Sequence, residues 1–273
     1  MNGHPNDEAQ PVETVANGAI EIVRDGPVLR VWLNRPNKHN ALNADVLDGI
    51  AQVFAAVQSD FGIRAVVLGG RGPSFSSGAD RGAAPGRTTP GTPAATTDRE
   101  RRWAGQIGLR ACTAIADCEV PTIARIHGWC IGGGFALALA CDFRIAADDA
   151  RFSIPEVDLG VPLTWGATPR LIAEIGAARA RELIIMCDEI DAAKAYRMGV
   201  VHRHVASLDL DATVSGWATR LAAKPELAVN EAKSQFRGYA RRSVLGDLTE
   251  TDGDLLARAS ATAAAQAAFG SRG

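Results

Sequence analysis

Three short segments of this chain carry residue types suited to moving a proton beside a carbonyl group. Residues 75–80 read FSSGAD and residues 127–136 read HGWCIGGGFA. Small residues at a turn or at the start of a helix leave backbone N–H groups open to a ligand oxygen. The third segment, residues 152–156, reads FSIPE and ends in Glu156. Together they predict an oxyanion held by backbone N–H groups while Glu156 transfers a proton, which is enolate chemistry.

Each of these features also has a simpler interpretation. The glycines at 132–134 could serve close packing of a helix on a strand, and Glu156 could be a solvated loop carboxylate. In the first segment the expected donor is the N–H of Ser77, beside Gly78. The Ser77 hydroxyl is an alternative nucleophile, although its flanking sequence is not the G-x-S-x-G of a hydrolase. The residues alone therefore leave an oxyanion site, a packing role and a serine nucleophile open.

Composition narrows the class of protein. The 273 residues carry a formal net charge of -2, which argues against nucleic acid as the main partner. No run of about 18 apolar residues is present, so we expect no membrane span. Residues 1–19 contain no apolar stretch typical of a secretion signal, and the five cysteines form no C-x-x-C pair. We therefore expect a cytoplasmic protein with reduced thiols and no metal site.

Hydrophobic spacing predicts an α/β domain followed by helices. Residues 1–17 are expected to be a disordered tail, residues 18–205 the core and residues 206–273 a C-terminal helical region. Residues 81–97 are almost all Gly, Ala, Pro, Thr and Arg, which predicts a mobile loop. The predicted strands are residues 21–24, 28–33, 65–68, 122–126 and 143–146; the predicted helices are residues 43–59 (with Asn43 as N-cap), 98–118, 133–140, 169–175, 177–186, 192–198, 209–223, 225–237 and 245–269.

Five segments, in this order along the chain, resemble the crotonase (enoyl-CoA hydratase/isomerase) superfamily. Besides the two small-residue segments, these are residues 37–43 (NKHNALN), 155–160 (PEVDLG) and 191–201 (DAAKAYRMGVV). The resemblance covers roughly residues 18–240. It implies a crotonase-like spiral of ββα units, with residues 206–273 at the subunit contacts of a homotrimer or of a hexamer of two trimers.

The resemblance also implies roles for individual residues. Glu156 would be the catalytic carboxylate, and the N–H groups of Ser77 and Gly133 would form the oxyanion hole. Coenzyme A would enter as part of an acyl-CoA substrate, with no separate cofactor. The implied contacts to coenzyme A are Lys38, His39, Ala41, Ser77, Ala79 and Asp80, and the implied acyl pocket is Ala136, Thr164 and Trp165.

One position departs from the hydratases of this superfamily. They carry a second glutamate where this chain has Ala136. Two carboxylates would hold a water and deliver its proton, whereas a single carboxylate more naturally moves a proton between two carbons. Thr164 stands where the dienoyl-CoA isomerase branch has an aspartate, which argues against that branch's activity. We therefore favour double-bond isomerisation over hydration by a small margin; the alternatives are a non-catalytic acyl-CoA-binding protein and a serine hydrolase using Ser77.

Overall fold

Two β-sheets form the centre of the fold. The computed structural model describes residues 12–80, 82, 97–243 and 251–270. In chain order the strands are β1 (Val12–Val15), β2 (Ile20–Asp25), β3 (Val28–Leu33), β4 (Ala65–Gly70), β5 (Thr122–Ile126), β6 (Trp129–Ile131), β7 (Phe143–Ala147), β8 (Arg151–Ser153), β9 (Ile190–Asp191) and β10 (Arg203–Val205). The order β1-β2-β3-β4-β5-β7-β10 makes one sheet and β6-β8-β9 the other. The parallel pairs from β3 to β10 confirm the predicted α/β core with crossover connections.

The central strand β4 shows why this sheet holds the core together. All six of its residues are buried, as its continuous apolar run predicts. Val66 and Leu68 face the larger apolar cluster, whereas Ala65 and Val67 face a second cluster on the opposite side of the sheet. Successive side chains of a strand point to opposite faces, so β4 is covered by helices on both sides.

The helices connect the strands and cover the sheets. They are α1 (Ala44–Val57), α2 (Asp98–Gly105), α3 (Ile107–Asp117), α4 (Gly133–Ala140), α5 (Ala167–Met186), α6 (Ala192–Met198), α7 (Leu210–Ala222), α8 (Glu226–Ser243), α9 (Asp252–Ser260) and α10 (Ala263–Gly270). Asn43 is the N-cap of α1, as predicted, and its side chain accepts a hydrogen bond of 3.1 Å from the Val46 N–H. Gly176, with φ of 79°, separates the two predicted helices within α5.

Two predicted helices are each divided in the structure. The helix expected over residues 98–118 consists of α2 and α3, which meet at Gln106. The helix expected over residues 245–269 consists of α9 and α10, and residues 244–250 lie outside the described part. In both cases apolar spacing continues across the break, so the sequence pattern does not reveal the change of direction.

The predicted boundary of the N-terminal tail was wrong. The prediction assigned residues 1–17 to a disordered segment, but β1 (Val12–Val15) pairs antiparallel with β2. Its residues are mostly exposed, and it is held by backbone hydrogen bonds at the sheet edge rather than by apolar burial. Residues 1–11 lie outside the described part, as does the predicted mobile loop apart from residues 82 and 97.

Helix α7 packs on the sheet rather than standing apart from it. Its Leu210, Val214 and Ala218 join the second apolar cluster, together with Ile123 and Ile145 of the sheet. The predicted C-terminal region, residues 206–273, therefore begins with a helix that packs on the core sheet. Its role in trimerisation stays a prediction. Within the described residues, no helix is both long and apolar enough to cross a bilayer.

Candidate active site

A cavity of about 630 Å³ lies where the two small-residue segments meet the C-terminal helices. Ser77, Gly78 and Ala79 line it from one segment, and Gly132 and Gly133 line it from the other. This size is typical of sites that enclose a small organic ligand. The structure thus brings the two predicted segments to one concave site.

The two small-residue segments touch each other directly. Ser76 and Cys130 form a parallel bridge between them. A Cβ atom on Gly78 would lie 2.7 Å from the Ile131 carbonyl oxygen and 3.3 Å from the Gly133 nitrogen. Gly78 also has φ of +88°, so glycine is required here for both space and backbone conformation. The close approach places the backbone after Gly78 beside the start of α4.

The hydrogen bonds of the first segment show which of its N–H groups is open. The Ser77 N–H donates to the His39 carbonyl at 2.8 Å, and the Gly78 N–H donates to Ser76 Oγ at 3.1 Å. The Asp80 N–H donates to the Leu42 carbonyl at 2.9 Å. The Ala79 N–H is the one left without an acceptor among the described residues.

The prediction that Ser77 supplies the first oxyanion donor therefore conflicts with the structure. Its N–H is already used to hold the segment against the loop that contains His39. A backbone N–H makes one good hydrogen bond, so a committed donor cannot also hold an oxyanion. Ala79, which the sequence suggested only as a contact to coenzyme A, has the open N–H.

The second segment presents its open N–H groups at the start of α4. Gly133 is the first residue of this helix, and within the described residues its N–H has no acceptor. The first N–H groups of a helix lack partners inside the helix and carry partial positive charge. Gly133 lines the cavity, as predicted, so its open donor adjoins the same space as Ala79.

Glu156 is placed against the turn that begins α4. It follows β8 and precedes a short 3-10 turn, Val157–Leu159. A Cβ atom on Gly132 would lie only 2.6 Å from its Oε1, so its carboxyl rests on that glycine. Its Oε2 is buried and has no hydrogen-bond partner within the described chain.

Burial gives this carboxyl an unusual acidity. Loss of hydration raises the pKa of Glu156 to about 7, and a hydrogen bond from its own backbone N–H offsets part of that rise. A carboxyl with this pKa exists in both protonation states near neutral pH, which suits it to accept and return a proton. An unpartnered buried oxygen of this kind is rare in folded proteins and points to a functional role.

The three residues predicted for an acyl pocket all line the cavity. Ala136 and Trp165 are buried, and Thr164 is only 8% exposed. Ala136 contributes only a methyl group to the cavity wall. Among the described residues that line the cavity, Glu156 is the only carboxylate.

The residues predicted to contact coenzyme A divide into two groups. Ser77 and Ala79 line the cavity, whereas Lys38, His39 and Ala41 lie on the adjoining loop outside it. This loop is joined to the cavity wall by the bridge between residues 42 and 79.

The contacts of Asp80 are structural, because they join two segments of the chain. Its carboxylate forms an ion pair with Arg35 at 2.9 Å and accepts a hydrogen bond from the Gly82 N–H at 3.1 Å. Arg35 also donates to the Ala41 carbonyl. These contacts fix the loop to the segment, and Asp80 is not among the residues that line the cavity.

The serine-hydrolase alternative gains no support from this geometry. Ser77 Oγ lies 3.4 Å from the Lys38 carbonyl, while His39 Nδ1 is 2.9 Å from Ser74 Oγ. Nucleophilic serines need a base within hydrogen-bond reach of the hydroxyl. Within the part of the chain that the structure describes, no histidine makes that contact with Ser77.

Sequence reasoning named no individual residue on the C-terminal side of the cavity. Leu256 and Ala257 of α9 and Gln266 of α10 line it, as does Arg101 of α2. The signal in the sequence that could have indicated this side of the cavity is the spacing of small residues in α9, because small residues let a helix approach another element closely. Gly253 of α9 packs against the backbone of Gly105, with only 3.1 Å between a Cβ placed there and the Gly105 carbonyl carbon.

Replacing Gly132 with alanine is expected to lower kcat by about 10-fold or more. The new Cβ would meet Glu156 Oε1 at 2.6 Å, and φ of +50° is strained for any residue with a Cβ. Steady-state kinetics measures the effect. Gly238→Ala is the matched control, since a Cβ there meets nothing within 4 Å. Wild-type kinetics in Gly132→Ala would contradict the placement of Glu156.

Comparison with known proteins identifies the family of this chain. The Enoyl-CoA hydratase/isomerase family model matches residues 24–270. The crotonyl-CoA hydratase of Syntrophomonas wolfei is 36% identical over 216 residues, covering 79% of this chain and 80% of the relative. The peroxisomal Delta(3,5)-Delta(2,4)-dienoyl-CoA isomerase of Arabidopsis thaliana is 33% identical over 222 residues, with 79% and 80% covered.

A solved structure extends the agreement to the fold. The crystal structure of an enoyl-CoA hydratase/isomerase from Mycobacterium paratuberculosis superposes with a TM-score of 0.83. The aligned region covers 93% of this chain and 98% of the chain in that structure, at 24% sequence identity. The order of strands and the C-terminal helices match the predicted crotonase-like architecture. The chain belongs to the enoyl-CoA hydratase/isomerase family of enzymes, within the crotonase superfamily.

Proposed function

We propose that this enzyme shifts a carbon–carbon double bond in an acyl-CoA thioester, with Glu156 as its single acid and base. The observation that carries the proposal is one buried carboxyl, with a pKa of about 7, in a cavity that Ala136 also lines and that has no second carboxylate among its described lining residues. The similar proteins include a hydratase and a dienoyl-CoA isomerase, so their names support acyl-CoA chemistry without choosing between the two reactions.

The proposed reaction begins at the thioester carbonyl. Its oxygen accepts hydrogen bonds from the N–H groups of Ala79 and Gly133, which acidifies the neighbouring α-carbon. Ionised Glu156 removes a proton from the α-carbon of a 3-enoyl thioester, and the electron pair moves onto the oxygen to form a dienolate. The protonated Glu156 then returns the proton to the γ-carbon, which leaves the double bond between the α- and β-carbons. One donor of this kind is typically worth about 2.7–4 kcal/mol.

The same cavity is poorly equipped for hydration. Adding water requires a group that holds the water and removes one of its protons while another proton reaches the α-carbon. Ala136 offers neither an acceptor nor a proton at the position where hydratases carry a carboxylate. A proton that shuttles between two carbons needs only one group, and Glu156 supplies it.

Ala136→Glu tests the choice between the two reactions. We expect the wild type to convert a 3-enoyl-CoA to its 2-enoyl isomer faster than it hydrates a 2-enoyl-CoA. The variant should raise the ratio of hydration to isomerisation by about 10-fold or more, within the range of one general acid–base group. Absorbance of the conjugated thioester measures both reactions. Ala136→Gln has similar size without the charge and is the control; faster hydration than isomerisation by the wild type would contradict the proposal.

The second candidate is a non-catalytic acyl-CoA-binding protein, which the methyl group of Ala136 favours. A binding role alone does not explain why Glu156 Oε2 is buried without a hydrogen-bond partner among the described residues. Calorimetry with a panel of enoyl-CoA chain lengths distinguishes the two. Binding without turnover of any member would favour the binding protein.

The proposed substrate needs no cofactor beyond the coenzyme A that it carries. We propose that Lys38, His39 and Ala41 contact its nucleotide part, since their loop adjoins the cavity and Lys38 and His39 are exposed. The five free cysteines are all buried, and a reducing cytoplasm is the compartment we propose.

We further propose a homotrimer, or two trimers paired as a hexamer, built on residues 206–273. Helix α8 supports this, because Leu227 and Phe236 are 70% and 77% exposed. Large apolar side chains left in water on one helix are typical of a contact surface. Light scattering at micromolar concentration should give the mass of three or six chains, and a monomer would refute the proposal.

A further inference from the structure

The indole ring of Trp165 is wedged between two glycines on different helices. A Cβ atom on Gly133 would lie 2.4 Å from the ring carbon Cζ3, and one on Gly108 would lie 2.0 Å from Cε2. Only glycine allows such contacts on both sides. The ring therefore rests directly on Gly133, whose N–H is open toward the cavity.

The backbone of Trp165 is held in a conformation that fixes this ring. Its φ is +60°, in the left-handed region that a bulky residue rarely adopts. Arg170 Nη1 donates hydrogen bonds of 3.0 Å to the carbonyls of both Trp165 and Gly166. Such an outlier persists only where its surroundings overdetermine it, and these outliers cluster at functional sites.

The C-terminal helix α9 reaches the same place. Asp252 Oδ2, at the first residue of α9, accepts a hydrogen bond of 2.7 Å from the Gly166 N–H. Gly166 directly follows Trp165. A chain of contacts thus runs from α9 through Gly166 and the indole ring to the start of α4.

We propose that Trp165 is a positioning residue for the oxyanion hole, which sets the direction of the Gly133 N–H, and that α9 holds it in place through Asp252. The inference rests on the proposed function, because it concerns the donor that would bind the thioester oxygen. Oxyanion donors act only when they are aimed at the position that the charged oxygen will occupy. A displacement of about 1 Å at such a group can lower the rate about 100-fold.

Gly108→Ala tests this from the side of the ring away from the site. Gly108 lies in α3 and does not line the cavity, whereas the added methyl group would press on the indole. We expect kcat on an enoyl-CoA to fall about 10- to 100-fold with KM changed less than about threefold. Isotope-edited infrared spectra of a bound thioester should show a smaller shift of the carbonyl stretch than in the wild type.

A double-mutant cycle separates positioning from general damage. Trp165→Phe introduces a smaller ring, so the double variant Gly108→Ala/Trp165→Phe should recover kcat and the carbonyl shift relative to Gly108→Ala alone. Gly216→Ala is the matched control in helix α7, where a Cβ meets nothing within 4 Å. Its kinetics and carbonyl shift should equal those of the wild type.

Asp252→Ala provides a second route if Gly108→Ala does not fold. It removes the acceptor of the Gly166 N–H without touching the ring, and a roughly fivefold or larger fall in kcat with a reduced carbonyl shift is expected. A lower melting temperature with wild-type kcat and carbonyl shift in the folded variants would overturn the inference. If the wild type itself neither binds nor converts any enoyl-CoA, the proposed function fails instead.

Discussion

Replacing Glu156 with glutamine is expected to lower kcat by about 1,000-fold, in the middle of the range for a general acid–base group. Glutamine keeps the size of the side chain but can neither take nor return the proton. Assays with a 3-enoyl-CoA measure the loss, and calorimetry should show acyl-CoA binding within about threefold of the wild type. A variant that retains wild-type turnover would remove Glu156 from the mechanism.

The pH dependence of the wild type checks the same role. Glu156 must be ionised to remove the first proton, so kcat/KM should rise with pH through a single ionisation and level off above it. The pKa of about 7 places that rise between roughly pH 6 and 8. The glutamine variant should lose this ionisation from its residual profile. A profile that falls over this range would mean that the enzyme begins the reaction with Glu156 protonated.

Glu156→Gln should also change stability in a pH-dependent way. Burial raises the pKa of this carboxyl from 4.5 to about 7 in the folded protein, so the folded state keeps its proton to higher pH than the unfolded chain. Folding is therefore penalised as pH rises from about 4.5 to 7, and the penalty stays constant above 7. The rise in pKa corresponds to a loss of at most about 3 kcal/mol in the free energy of unfolding. The variant should match the wild type near pH 4.5 and gain melting temperature over it up to pH 7.

Replacing Ala79 with proline is expected to lower kcat by about 100- to 1,000-fold, as measured for loss of one oxyanion donor. Proline has no N–H, and this N–H has no acceptor within the described protein. The hydrogen bonds that hold the segment use the Gly78 carbonyl and the Asp80 N–H, so they remain available. KM should change much less than kcat, because the donor acts mainly on the charged oxygen of the enolate.

Ala79→Gly is the control, since it retains the N–H while altering the side chain. Circular dichroism and the affinity for coenzyme A show whether the proline variant keeps its fold and binding loop. A folded Ala79→Pro variant with kcat close to that of the glycine variant would assign the donor to another group. The test also separates Ala79 from Ser77, whose N–H is tied to His39.

Much of the fold follows from local patterns. The buried run at β4 and the helical spacing of α1 both predict the observed elements, because each reflects contacts made along the whole element. Strands of two to four residues, such as β1 and β9, leave too few positions for a period to show. They exist because a neighbouring strand offers backbone partners, which sequence spacing does not reveal.

By itself, the sequence determined the chemical groups of the site. Glu156 after a proline, three glycines before an apolar helix and alanine at 136 follow from residue types at fixed positions, and the structure places Glu156, Gly132, Gly133 and Ala136 around one cavity. Tertiary structure alone decided which N–H is open. Ser77 and Ala79 are equivalent donors in the sequence, but the His39 carbonyl, from a loop far away in the chain, occupies only the first. A hydrogen bond depends on where the acceptor lies in space, and so do the burial that shifts the Glu156 pKa and the ring that rests on Gly133.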